Sequence, residues 1–241
     1  MFNRQTYFDS VRNSLFSGHM AQSQVDGQDT ILSVWEKYID TGDRRWLAYM
    51  LATTYHETAQ EMQPIEEYNK GQGQPYGEKD PDTGQTYYGR GYVQLTWRDN
   101  YARADTELNL SGDASCEEQA DNALNPWTAA RVMYKGMVEG WFRGDTLGDY
   151  FSASKDDPYG AREIINGDKD IVPSWSNGES IGQLIAEYHA HFLEALNLSW
   201  TAPAPGPDPK EPPVVTVSLT ISTDQPIVLK VVVNGDDVEL A

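Results

Sequence analysis

Thr54-Tyr-His-Glu-Thr-Ala-Gln-Glu-Met-Gln-Pro-Ile-Glu-Glu-Tyr68 decides how the rest of the chain is read. Leading into it, Leu47, Met50, Leu51 and Thr54 recur at helical spacing behind Asp43, a suitable N-cap, and predict a helix from about Arg44 to Met62. Pro64 ends that helix at or before Gln63. Trp46, Met50, Thr53 and Glu57 fall along one ridge, so Glu57 stands beside the apolar stripe, where a carboxyl is partly desolvated and disposed to hold a proton. Beyond the proline come Glu66 and Glu67. In an unbroken helix, residues 57 and 66 would lie about two and a half turns apart and face opposite ways; the bend removes that objection. Carboxylates facing each other across a bend suit acid/base chemistry on a glycosidic bond, and they suit a solvated acidic surface equally well.

Upstream, Phe8, Val11 and Leu15 predict a helix over Gln5–Phe16 that Gly18 closes, and Ile31, Val34, Trp35 and Tyr38 predict a second from Gln24 to Ile39. Downstream, Asn69 to Thr86 is rich in Gly, Gln, Pro and Asp and reads as a long functional or mobile loop. Tyr87-Tyr-Gly-Arg-Gly-Tyr-Val-Gln-Leu-Thr-Trp-Arg-Asp-Asn-Tyr101 follows. Its tyrosines and Trp97 supply flat apolar faces, and Gln94, Thr96 and Asn100 supply neutral hydrogen-bonding groups. That mixture fits a carbohydrate, or an aromatic core segment with polar caps. Further helices are predicted from Pro126, where proline suits a first turn, at Leu147–Phe151, over Tyr159–Gly167 and from Ser180 to Leu196.

Residues 201–213 form a Pro-rich, semi-rigid linker. It separates a main domain, 1–200, from a small β-rich segment, 214–241. There Val215, Val217, Leu219 and Ile221 alternate with Thr and Ser, Ile227 to Val233 forms a second run, and Val238–Leu240 offers a third short strand. So small a sheet is marginal alone and is expected to mediate self-association or docking.

The formal charge of −19 over 241 residues argues against a nucleic-acid partner and against capture by anionic membranes or polymers; a neutral ligand is easier to reconcile with it. No apolar run approaches a membrane span. The single cysteine, Cys116, excludes an intramolecular disulfide and suggests a reducing compartment. Cysteine and the four histidines show no metal-ligand spacing, His189 and His191 pointing to different faces of a helix. Met-Phe-Asn-Arg-Gln-Thr-Tyr lacks the pattern of a signal peptide.

Residues from about 45 to 200 resemble the glycoside hydrolase family 19 fold of plant-type chitinases and many phage endolysins. The resemblance rests on His56-Glu57-Thr58, on Tyr88-Gly-Arg-Gly-Tyr-Val-Gln-Leu-Thr96 with Asn100-Tyr101, and on Ile164-Ile-Asn-Gly167, in that order. It implies a mainly α, lysozyme-like α+β domain with a cleft and a small β-element near the second glutamate, needing neither metal nor cofactor. Glu57 then matches the general acid, Glu66 the general base and Thr96 the hydroxyl that helps hold the attacking water. Gln94, Asn100 and Asn166 match sugar-binding residues, Tyr88 and Tyr92 join them as substrate-binding candidates, and Arg90 reads as support for the loop around the glutamates. Glu67 is the next choice of base and Glu78 the last. The basic residue that chitinases place before the terminal helix has no counterpart in Gly178-Glu-Ser-Ile181.

The blocks look closer to the peptidoglycan-degrading phage and bacterial branch, and they imply an inverting glycosidase acting on peptidoglycan glycan strands. Such an endolysin is made in the host bacterial cytoplasm, reaches the periplasm and wall through a lesion formed by a holin, and causes cytolysis. A chitinase on the same fold, a non-catalytic wall-binding protein and an antibacterial effector are the alternatives.

Overall fold

The computed structural model describes residues 1–38 and 43–201, and the backbone of three short strands beyond them. The chain divides into two units, Met1–Thr201 and Ala202–Ala241.

In the first unit, α1 (Arg4–Ser14) is capped by Asn3, whose side chain accepts from Thr6 N, and α2 is Gln22–Tyr38. Next comes α3, Arg44–Glu57, capped by Asp43. Every residue of α3 from Leu47 to Tyr55 is buried. The single stripe expected from the sequence is thus an all-round apolar surface, the mark of a central core helix. It packs most extensively on α7, Ile181–Ser199, which begins with a capping box between Ser180 and Gln183. Phe2 bridges to Trp200, and Asn3 N donates to Ser199 O at 2.8 Å, so both ends of the unit are stitched together.

α3 stops at Glu57, five residues short of the Met62 expected from the sequence. The cause is local. The Thr58 hydroxyl donates to Thr54 O at 2.7 Å and accepts from Met62 N at 3.0 Å, while Ala59, Gln60 and Met62 all take positive φ. The reversed chain then presses the Met62 carbonyl onto Gly27 of α2, where a Cβ would sit 1.6 Å from that oxygen. Only glycine admits this approach.

After the turn, β1 (Ile65–Glu66) pairs antiparallel with β2 (Arg90–Gly91), with Ile65 opposite Gly91 and Glu66 opposite Arg90. The sheet joins two apolar clusters. Tyr92 and Val93 belong to the main core, whereas Tyr87 and Leu95 pack with Tyr101, Leu108, Cys116, Val132 and Trp141 in a second, smaller one. The intervening loop is tied down by Arg98, which bonds Asp80 at 3.1 Å, Asp82 at 3.0 Å and Glu117 at 2.9 Å. Arg98 opens α4, Arg98–Leu108, a helix not anticipated from the sequence. Then follow α5 (Pro126–Glu139), capped by Asn125, and α6 (Leu147–Tyr150). The segment expected as a helix over 159–167 is instead a tight 3-10 turn, Gly160–Ile164. Among the described residues no helix is long and apolar enough to cross a membrane.

In the second unit, β3 (Thr216–Thr220), β4 (Val228–Val233) and β5 (Asp236–Val238) form an antiparallel sheet in the order β3-β4-β5. Leu219 stands opposite Leu229, and Val231 opposite Val238. The third strand begins two residues earlier than expected. Apart from Thr201, the Pro-rich linker lies outside the described residues.

Candidate active site

Glu57 ends α3, where the helix dipole presents its negative pole and disfavours a second negative charge. The structure answers with Arg162. Its guanidinium, only 3% exposed, donates through Nη1 to Glu57 Oε1, through Nε to Asp168 Oδ1 at 2.6 Å and through Nη2 to Asp168 Oδ2 at 3.0 Å. Burial alone would raise the Asp168 carboxyl; the Arg162 hydrogen bonds and charge outweigh it and hold the group below the usual carboxylate range. Asn166 Nδ2 donates to Asp168 Oδ2 at 3.0 Å, which links the Ile-Ile-Asn-Gly block to Glu57 through Asp168 and Arg162. Glu57 is therefore not in the plain apolar setting that its helical ridge suggests. It shares a cation whose charge Asp168 already balances.

Across the turn, Glu66 accepts from the Tyr88 hydroxyl on Oε1 and pairs through Oε2 with Lys70 Nζ at 2.8 Å. The Lys70 bond first, and the Tyr88 bond second, hold its carboxyl below the ordinary glutamate range. Glu67 has a different occupation: its Oε2 accepts from Gly89 N at 3.1 Å, and its own N–H donates to Gly89 O at 2.7 Å, extending the β1–β2 ladder. Glu78 is exposed beside a cavity of about 260 Å³ that Trp97 and Arg98 also line.

The remaining residues fall into place around β2. Gln94, at φ +55°, donates to Ile65 O at 3.2 Å, and its side chain fills the space that a Cβ at Gly89 would need. Thr96 Oγ1 donates to Gln94 O at 2.8 Å and keeps lone pairs for a further donor; Asn100 Nδ2 donates to Thr96 O at 2.8 Å. Trp97 stands 51% exposed on a φ of +74°, a conformation that bulky residues rarely adopt and that recurs at functional sites. Arg90 is buried under the loop, with its guanidinium 3.7 Å from the Tyr88 ring centre and bonded to Thr86 O, Tyr101 and Asp121.

One substrate-binding candidate is misplaced. Tyr92 is fully buried in the main core, its hydroxyl directed at Gly27 O, and offers no face to a ligand. Tyr88 is buried as well, so it serves Glu66 through its hydroxyl rather than by stacking. Three residues of the site were not foreseen: Arg162, Asp168 and Lys70. Gly178-Glu-Ser-Ile181 carries no basic side chain, and Arg162 reaches the glutamate from the 3-10 turn instead. A lone arginine with its partner 105 residues away leaves no signal in a single sequence.

No family model matches the sequence, and no curated protein matches it significantly. Among solved structures, the chain is similar to chitinase C from Streptomyces griseus HUT6037, with a TM-score of 0.53 and 20% identity over 81% of this chain and 76% of that one. The class IV family 19 chitinase from Zea mays aligns at 17% identity over 85% of this chain and 96% of its own, with a TM-score of 0.44. At such identities the likeness is one of fold. The fold of this chain is family 19 chitinase-like.

Proposed function

We propose that the chain is a glycoside hydrolase that cleaves β-1,4 links in the glycan of bacterial peptidoglycan, with inversion, in the manner of an endolysin. One observation carries the reading. Two carboxylates stand on either side of the Thr58–Pro64 turn, Glu57 joined to Arg162 and Glu66 to Lys70, the paired arrangement on which acid/base cleavage of a glycosidic bond depends. Glu66, paired with Lys70 and Tyr88, is held ionised as a general base must be. Glu57 shares the buried Arg162 guanidinium with Asp168, which fixes its carboxyl at the end of α3.

In this reading Glu57 delivers its proton to the glycosidic oxygen while Glu66 takes one from a water on the opposite face of the sugar. Inversion requires about 6.5–9.5 Å between the two carboxyl groups to admit that water. Thr96, whose hydroxyl hydrogen is committed to Gln94 O, accepts a hydrogen bond from the water and orients it. Glu67, engaged by the Gly89 backbone, braces the sheet beneath Glu66.

Peptidoglycan is preferred because the lone cysteine is buried and the fold has no disulfide to depend on, as suits a protein that folds before leaving a reducing cytoplasm. The route to the wall would be a holin-made lesion, and the outcome lysis. A chitinase is the second reading, favoured by the likeness of fold to chitinase C. Mass spectrometry of fragments released from purified peptidoglycan, with chitin oligomers digested alongside, tests both. Muropeptide fragments with new reducing ends support the proposal; release from chitin alone transfers it to the second reading, and no release from either substrate ends both.

A further inference from the structure

Two hydroxyls behind the acid cluster have no bonding partner. Tyr49 Oη and Thr53 Oγ1 are buried, and neither makes a hydrogen bond among the described residues. Both belong to α3, and with Glu57 they form an i, i+4, i+8 row along one side of it. Thr53 lies one helical turn before Glu57, and Tyr49 one turn before that. A buried hydroxyl left unpaired loses its hydration and gains nothing in exchange, so protein interiors seldom hold one. Two on consecutive turns point to a shared partner.

Arg162 has unmet bonding capacity of the complementary kind. A guanidinium carries five N–H groups. On Arg162 one is engaged by Glu57 and two by Asp168, and the side chain is almost wholly buried. One N–H on Nη1 and one on Nη2 thus remain without a partner among the described residues. Arg162 is also the charge that acts most strongly on the Tyr49 hydroxyl, with Glu57 acting on it more weakly, so the unpaired oxygens and the unpaired N–H groups are neighbours. Thr53 is near enough to favour ionisation of the Tyr49 hydroxyl slightly, yet the two oxygens do not reach bonding geometry. What joins them must both accept and donate.

The remaining neighbours of Tyr49 are uncharged. Its ring packs against Phe151 at 5.4 Å and His189 at 6.0 Å between ring centres. His189, pushed down to about 4 by burial, is neutral at pH 7, and burial raises the Tyr49 hydroxyl so that it keeps its proton. Tyr150 of α6, the other group that acts on this hydroxyl, is a phenol raised by burial as well. Neutral groups on every side but that of the acid cluster suit a water molecule rather than an ion.

We infer that an internal water binds behind the acid cluster, accepting from Arg162 and from the Tyr49 hydroxyl and donating to Thr53 Oγ1, and that Tyr49 and Thr53 are thereby positioning residues for Glu57. Its three bonds are the number a buried water ordinarily makes. Held from behind, the guanidinium cannot slide toward Asp168, and Nη1 stays on Glu57. The catalytic half of the inference rests on the glycosidase reading; the water site does not, and the test reads the two apart.

Full-length Tyr49→Phe, Thr53→Val and the double variant are melted at pH 7 and assayed on purified peptidoglycan with chitin oligomers alongside. Each substitution deletes a hydroxyl at nearly constant shape. Deleting an unpaired hydroxyl stabilises a protein, whereas deleting one that holds the water should lower the melting temperature by about 2–4 °C. The water leaves with either hydroxyl, so the double variant should melt within about 1 °C of the less stable single one. Turnover should fall about three- to tenfold with KM unchanged, since neither side chain meets the sugar, and Thr53→Ser, which keeps the hydroxyl, should retain the parental kcat. A raised melting temperature in either single variant, or additive losses in the double one, overturns the water site. Lowered melting with parental kcat overturns the positioning role. A parent that cleaves neither substrate ends the glycosidase reading and the positioning role together, and the melts still decide the water site.

Discussion

Replacing Arg162 with methionine keeps the length of the side chain and removes the cation between Glu57 and Asp168. The two carboxylates, each about one-sixth exposed in the parent, at 17% and 16%, lose three hydrogen bonds. Removing one partner of a buried pair costs about 3–5 kcal/mol, because the other charge stays behind uncompensated. Water reaches these carboxylates in part, so the lower end, about 3 kcal/mol, applies. For a unit of this size, about 2–4 °C of melting temperature is lost per kcal/mol, which gives a fall of about 6–12 °C at pH 7. The pH dependence has a definite sign. Asp168 is held below its ordinary value in the folded state, so its contribution is complete above the unfolded carboxyl value, about 3.9, and is lost as pH falls through the lower folded value. The gap between parent and variant should therefore narrow below about pH 4. Thermal melts followed by near-ultraviolet circular dichroism at pH 7 and pH 3 measure both quantities. A melting temperature within 2 °C of the parent at pH 7, or a gap that does not narrow in acid, refutes the cluster as drawn. Arg162→Lys should recover only part of the loss, since an ammonium cannot present the guanidinium fork to two carboxylates at once.

Lys70→Met releases Glu66 toward ordinary glutamate behaviour, so the acid limb of kcat/KM against pH should move to higher pH while the alkaline limb stays; an unmoved acid limb removes Lys70 from the account. His189 is buried against Phe151 and pushed down to about 4, so between about pH 6.5 and 4 the unfolded chain binds a proton that the folded one refuses. Urea melts should lose roughly 3 kcal/mol across that window, and His189→Asn should flatten the slope. Glu66→Gln should abolish turnover with the fold intact, whereas Glu67→Gln should remain active; the reverse result makes Glu67 the base.

The helical skeleton was legible because its signals are local. Asp43 caps α3 where the sequence places a cap, and Pro126 opens α5 as proline at a first turn does. Termination of α3 was not legible. Pro64 marks the last place a helix can stop, but the stop is made seven residues earlier by Thr58 and by contact of Met62 with Gly27, a partner more than thirty residues away. Tyr92 was misread because alternation of tyrosine with glycine shows that rings are present, not which face they bury. Arg162 was invisible for a related reason: its meaning lies in two carboxylates supplied by other elements. In the Glu66–Glu67 pair, the sequence offers two adjacent carboxylates, and their different partners, Lys70 and Tyr88 for Glu66 and the Gly89 N–H for Glu67, emerge only in the fold.

The central claim is a single displacement at a β-linked sugar by Glu57 and Glu66. Proton NMR of the first products from a β-1,4-linked N-acetylated glycan, recorded before mutarotation, tests it most directly. The account predicts that the α-anomer appears first and that neither Glu57→Gln nor Glu66→Gln protein produces it. A β-anomer appearing first, or an undiminished signal from either variant, contradicts it.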